Sequence, residues 1–171
     1  RIVGQKNDLE ELVDEDADKI TASPISSDEK KHGLLYLLDK QAIQLYETGQ
    51  FTRVHQFIIR LHDKNLSDAL NNQRIYFTPG RERVEILAAE KRTQEGNIIR
   101  AERITESRPR GKVAGTYVDQ RWKLIQFKNI NQGDSIHIRY RVDSIGPNMF
   151  GNFFGDISLL QSGAPKQRVS R

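Results

Sequence analysis

The sequence predicts an all-β fold: an antiparallel two-sheet β-sandwich carrying a short N-terminal helical or irregular extension. Three observations predict it. Turn signals recur roughly every ten to fifteen residues after Gly33. Apolar and polar residues alternate strictly near the C-terminal third, where Ile136, Ile138, Tyr140 and Val142 interleave with His137, Arg139, Arg141 and Asp143. No segment carries a long helical periodicity.

Residues 1–33 read as an acidic extension or linker, and residues 34–171 as the sandwich domain. The first 33 residues hold nine acidic and five basic side chains, a net −4, in a chain whose net charge is +4, so the remainder carries +8. Leu9, Leu12 and Val13 have the i, i+3, i+4 spacing of a short amphipathic helix from Asp8 to Lys19. Asp8 is its expected cap, with Glu11 three residues on. Thr21 to Gly33 reads as a linker. So thin an apolar face does not offset the roughly 1–2 kcal/mol per residue of backbone ordering, and the segment is expected outside the sandwich core unless it docks on the basic body.

Within the body, strands are expected at 35–47 and 51–61, turning at Thr48-Gly49-Gln50. One helical turn is expected within 62–72, because Leu66, Ala69 and Leu70 share a face. A strand at 73–78 is stopped by Pro79-Gly80, and 83–92 returns as 98–105 about Glu95-Gly96-Asn97. Residues 107–115 form a basic loop containing the Arg108 to Lys112 run. The clearest hairpin joins 121–130 to 135–144 through Asn131-Gln132-Gly133-Asp134. Alternation over Ser135–Ser144 implies one face on a core and the other in water, with the arginines out and Tyr140 in.

Composition narrows function further. At 171 residues, 36% hydrophobic and 29% charged, the chain supports one core. Cys is absent, which removes disulfides, thiolate metal sites and a cysteine nucleophile. The longest uncharged run, Ser144 to Gly155, holds three Gly and a Pro and falls short of the ~18 apolar residues of a spanning helix. The chain opens at Arg1 without a signal-peptide pattern and reads as a piece of something longer. His32, His55, His62 and His137 have no zinc-ligand spacing; His137 is expected on a solvated face and His55 hydrogen-bonded near a strand. The acidic run from Asp14 begins like a calcium loop, but Lys19 and Ile25 occupy the places of its Gly and Glu. Gly111-Lys112 lacks the upstream Gly and following Ser or Thr of a phosphate loop. Asn65-Leu66-Ser67 is a glycosylation sequon by pattern alone.

An ordered set of segments resembles a known family. They are Leu37-Leu38-Asp39, Val54-His55-Gln56, Phe77-Thr78-Pro79-Gly80 with Val84 to Ala89, and Tyr117 to Arg121. Gly133-Asp134 before the strand bearing Tyr140, and Asn152-Phe153-Phe154-Gly155-Asp156, complete the set. Over residues 34–171 the chain resembles the bacterial transglutaminase-associated domain of unknown function (DUF3857), which precedes a transglutaminase-like domain, often after tetratricopeptide repeats. The resemblance implies an immunoglobulin-like sandwich and a bacterial periplasmic or envelope setting. It implies that any activity sits in a neighbouring domain, and that the chain stops where such domains enter a last strand. Residues 1–33 show no 34-residue repeat.

The function expected on these grounds is a non-catalytic interaction or scaffold module of a larger bacterial envelope protein, packing beside a transglutaminase-like domain. No catalytic residue, cofactor or metal ligand is expected. Partners would be neighbouring transglutaminase-like and tetratricopeptide domains or other envelope proteins. Between Met149 and Leu160 one period-two set is wholly non-polar and includes Phe153, expected in the core. The other mixes Phe150 and Phe154 with Asp156, as suits a covered surface. Phe150, Phe154 and Asp156, with the outward Arg139 and Arg141, are therefore the candidate partner surface. Two other readings are a basic nucleic-acid-binding domain, on Arg121-Trp122-Lys123, Arg139-Tyr140-Arg141 and the 108–112 loop, and a carbohydrate-binding sandwich. The latter needs exposed aromatics in a row, whereas the aromatics here are expected to be buried.

Overall fold

In the computed structural model, which describes residues 6–108, 120–146 and 166–170, the period-two segments form nine strands in two sheets. In chain order the strands are β1 (Leu34–Leu45), β2 (Phe51–Leu61), β3 (Asn72–Phe77), β4 (Glu82–Arg92) and β5 (Ile98–Arg100), then β6 (Arg103–Ser107), β7 (Arg121–Gln126), β8 (Ser135–Ser144) and β9 (Val169–Ser170). The larger sheet runs β5-β4-β8-β2-β1-β9 and the smaller β3-β7-β6. Among the described strands the pairings are antiparallel except β1 with β9, where Asp39 and Lys40 pair in parallel with Val169 and Ser170, and an isolated bridge from Tyr36 of β1 to Lys166 is parallel too. That pairing corrects the wholly antiparallel expectation.

Alternation places Phe57, Ile59 and Leu61 of β2 and Ile136, Ile138 and Val142 of β8 on one face of the larger sheet. They share a core with Ile75, Phe77 and Ile125 of the smaller sheet. Burying each such side chain contributes about 1.5–3 kcal/mol. Leu70, on the short helix α3 that follows here in the chain (Ser67–Asn71), closes one end of this core. The hairpin turns fall where glycine was expected to permit them: Gly96 and Gly133 adopt φ of 89° and 90°. At Gly133 a Cβ would also meet the Gln94 side chain at 2.8 Å.

Two strand assignments change. The expected strand 98–105 divides, β5 pairing with β4 and β6 with β7. Between them the Ala101 amide donates to the Ala89 carbonyl of one sheet and the Glu102 amide to Gln126 of the other, both at 2.9 Å. The crossing is fixed by these tertiary hydrogen bonds and carries no turn residue. The expected strand 121–130 ends at Gln126; Phe127 and Ile130 turn into the core, with Asn129 at φ 51°.

The N-terminal segment departs furthest from expectation. It forms two helices that precede the strands, α1 (Lys6–Val13) and α2 (Ala17–Thr21), followed by a 3-10 turn (Glu29–Lys31). Glu15 lies between the helices because its amide donates to Gln56 Oε1 at 2.8 Å and its carbonyl accepts from Gln56 Nε2 at 2.9 Å. Those bonds replace the helical ones. Asp16 then caps α2, accepting from the amides of Asp18 and Lys19. Leu9 and Val13 are buried on Val54, and Ala17 and Ile20 on Leu35, Leu37, Leu38 and Ile58. The segment docks on the basic body, the exception the sequence left open: it covers the second face of the larger sheet, in clusters separate from the core between the sheets. His137 and Arg141 are buried there as a result, which corrects the solvated face expected of β8.

Candidate functional site

The covered face explains Arg139 and Arg141. Period two turns both outward from β8, toward α1 and the residues that follow it. Arg141 donates Nε to both carboxylate oxygens of Asp143, at 2.8 and 2.9 Å, and Nη1 to Glu10 at 3.1 Å. Arg139 pairs with Asp14, Lys40 of β1 with Glu15 at 2.5 Å, and Arg92 of β4 with Asp18. The acidic segment thus neutralises the basic sheet of its own chain. These two candidate residues meet that segment, and Phe150, Phe154 and Asp156, with Phe153, lie outside the described residues.

On the opposite face of the same sheet lies a polar cluster that sequence reasoning did not assemble. His55 of β2 donates Nε2–H to Asp39 Oδ1 at 2.7 Å, and its Nδ1 shares a hydrogen bond with the Tyr140 hydroxyl at 3.0 Å. Lys166 pairs with the other oxygen of Asp39, and its ammonium sits 5.3 Å from the Tyr36 ring centroid. The Asp39 side chain is only 4% exposed, so its charge is compensated by Lys166 and His55 rather than by water. Burial first, and then the Asp39 charge, push the Tyr36 hydroxyl above its ordinary value. An Asp–His pair is the orienting half of a catalytic triad, but the third group here is a phenol rather than a serine, threonine or cysteine. The arrangement joins β1, β2, β8 and the 166–170 segment. Its signal was present in the sequence: Asp39, His55 and Tyr140 each stand in a segment that carries the family resemblance.

The outer face of the smaller sheet presents different chemistry. Tyr76 and Trp122 are cross-strand partners whose rings meet edge to face, centroids 5.7 Å apart at 66°. The Arg74 guanidinium lies 5.7 Å from the Trp122 ring centroid. Tyr76 is 51% exposed, which corrects the expectation that the aromatics are buried. The tilted pair offers no flat platform of the kind a sugar ring stacks on. Tyr, Trp and Arg together are the side chains enriched where proteins bind one another. Trp122 was noted in sequence beside Arg121 and Lys123; those two instead pair with Glu106, at 2.9 and 3.0 Å.

Comparison with known proteins adds the following. A family model described as Domain of Unknown Function with solved-structure structure (DUF3857) matches residues 47–170. The fold is similar to the crystal structure of a candidate protease from Parabacteroides distasonis ATCC 8503, with a TM-score of 0.60 at 17% identity. The likeness covers 68% of this chain and 24% of that one, and at this identity it concerns the fold alone. No curated protein matches the chain.

Proposed function

Because the chain belongs to the DUF3857 family of domains of unknown function, we propose that it is a non-catalytic, immunoglobulin-like interaction module of a larger bacterial envelope protein. Its partner in this reading is a neighbouring domain of transglutaminase-like type. The observation that carries the reading is the cluster on the outer face of the smaller sheet in which exposed Tyr76 and Arg74 flank a half-buried Trp122. Rigid aromatics and a stacked guanidinium lose little side-chain entropy on contact, so a partner gains most of their buried area. Two facts support the modular half of the proposal. The similar solved chain is much longer, this chain spanning 24% of it, and the chain has no cysteine to act as a transglutaminase-type nucleophile.

The test is association with the adjoining domain of the parent reading frame, measured by calorimetry for the chain and its Trp122→Ala variant. Removing a central tryptophan is expected to weaken binding at least tenfold, the effect of about 1.4 kcal/mol. Equal affinity of the two proteins would remove this face from the interface.

A further inference from the structure

An open cavity of ≈ 660 Å³ lies between the N-terminal segment and one end of the larger sheet. Lys30 of the 3-10 turn, Arg60 at the end of β2, His62 just after it and Arg92 at the end of β4 line it, together with the glycines of two turns, Gly96 and Gly133. The lining carboxylate is Asp18, and Arg92 is paired with it and with Glu90. Arg60 is different. It donates only to neutral oxygens, Nε to Ser135 Oγ at 3.1 Å and Nη2 to the Thr21 carbonyl, which leaves Nη1 without a partner among the described residues. Lys30 likewise has no ion pair there; its neighbour Lys31 takes Asp28. Nε2 of His62 and Nε of Arg92 are buried without hydrogen-bond partners. Burial, then the charges of Arg60 and Lys30, hold His62 below its ordinary pKa, with Glu29 acting in the opposite sense. The cavity therefore gathers two uncompensated cations and an imidazole in positive potential.

We infer that this cavity binds the terminal phosphate of a small phosphate monoester, with Arg60 and Lys30 as its counter-charges and His62 as a hydrogen-bonding partner. A monoester carries roughly −1.5 to −2 charge at neutral pH, which balances both cations, whereas a carboxylate or a diester balances one. A guanidinium with free N–H groups suits the oxygens of phosphate. The volume lies within the range of small-molecule sites, so the remainder of the ligand has room along Thr21, Ala22 and Ile25. A bound dianion also favours the protonated imidazole, turning His62 Nε2 into a donor.

The experiment titrates the full, isotope-labelled chain at constant ionic strength with glycerol 3-phosphate, inorganic phosphate, dimethyl phosphate and acetate. The amide signals of Gly96 and Gly133 report occupancy, and calorimetry gives affinities. Glycerol 3-phosphate and phosphate are expected to shift both signals to saturation, with dimethyl phosphate and acetate at least about tenfold weaker. Lys30→Gln and Arg60→Gln are each expected to weaken phosphate binding about tenfold, and Arg83→Gln, exposed at the far end of β4, to leave it unchanged. Lys30 is exposed, so its variant reports on charge even if Arg60→Gln disturbs the contact with Thr21. No saturable shift up to about 20 mM phosphate, equal binding of acetate or dimethyl phosphate, or an unaltered Lys30→Gln affinity would each overturn the assignment.

Discussion

Gln56 shows how one side chain can decide the course of a whole segment. It is completely buried, and its amide satisfies both backbone groups of Glu15 while also reaching His137 Nε2 at 3.0 Å. A Gln56 N–H aimed at His137 Nε2 makes that nitrogen an acceptor, which leaves Nδ1–H to face Glu90 at 3.4 Å. The hydrogen-bond pattern thus assigns a neutral imidazole, in agreement with burial holding the His137 pKa below its ordinary value. Gln56→Leu would leave the Glu15 amide and carbonyl without partners and is expected to cost about 2–4 kcal/mol in urea melts. A loss below about 0.5 kcal/mol would show that water replaces the amide. Asp39→Ala is expected to cost about 3–5 kcal/mol, because Lys166 and His55 would keep buried polar groups without their carboxylate. The pH dependence follows from His137 and His62, both depressed in the fold. Their unfolded-state pKa lies near 6.5, so the unfolded chain binds protons first as pH falls. Stability is therefore complete above about 6.5 and declines below it until the folded-state values are reached. Melts between about pH 7.5 and 5 should show that decline, and a smaller one in His137→Gln; a flat profile in both would contradict the neutral assignment.

At the scale of elements, the strands were legible and the N-terminal segment was not. Strand and turn signals are local: Ile136 to Val142 alternate, and Gly96 and Gly133 stand where the backbone needs positive φ. The docking of α1 and α2 depends on Leu35, Leu37, Val54 and Ile58, apolar residues on a face of β1 and β2 that period-two reasoning assigns only after a partner is known. The continuous apolar character of Phe57-Ile58-Ile59 was the available sign that β2 is covered on both faces. Asp39, His55 and Tyr140 stood in noted segments, but their meeting with Lys166 could not be assembled for a related reason, since it joins residues separated by up to 127 positions through the register of three strands. Removing residues 1–24 should therefore lower the melting temperature by more than about 10 °C, because Leu35, Leu37, Val54 and Ile58 would meet water. A fall of only a few degrees would mean that the segment rests on the sheet without sharing its core. Val13→Asp is a milder probe of the same contact, placing an unpaired charge at a position with no exposure.

For the molecule as a whole, the distribution of charge matters more than its total. A body of +8 beside a segment of −4 suggests a basic surface open to polyanions, yet Arg139, Arg141, Arg92 and Lys40 are engaged by Asp14, Glu10, Asp18 and Glu15 of the same chain. A nucleic acid would have to displace those carboxylates from partly buried partners, while the gain per phosphate comes mainly from counterion release. Each phosphate contact contributes about −0.9 to the slope of log affinity against log salt for duplex DNA. The full chain is therefore expected to bind a duplex weakly, with a slope no steeper than about −2. Neutralising the internal acid in a Glu10→Gln, Asp14→Asn double variant should release Arg139 from Asp14 while Arg141 stays paired with Asp143, and should steepen that slope by about one unit, with tighter binding at low salt. A steep slope already present in the unaltered chain would show that cations elsewhere form a phosphate track, and the balance of segment against sheet would then not be what keeps this surface from polyanions.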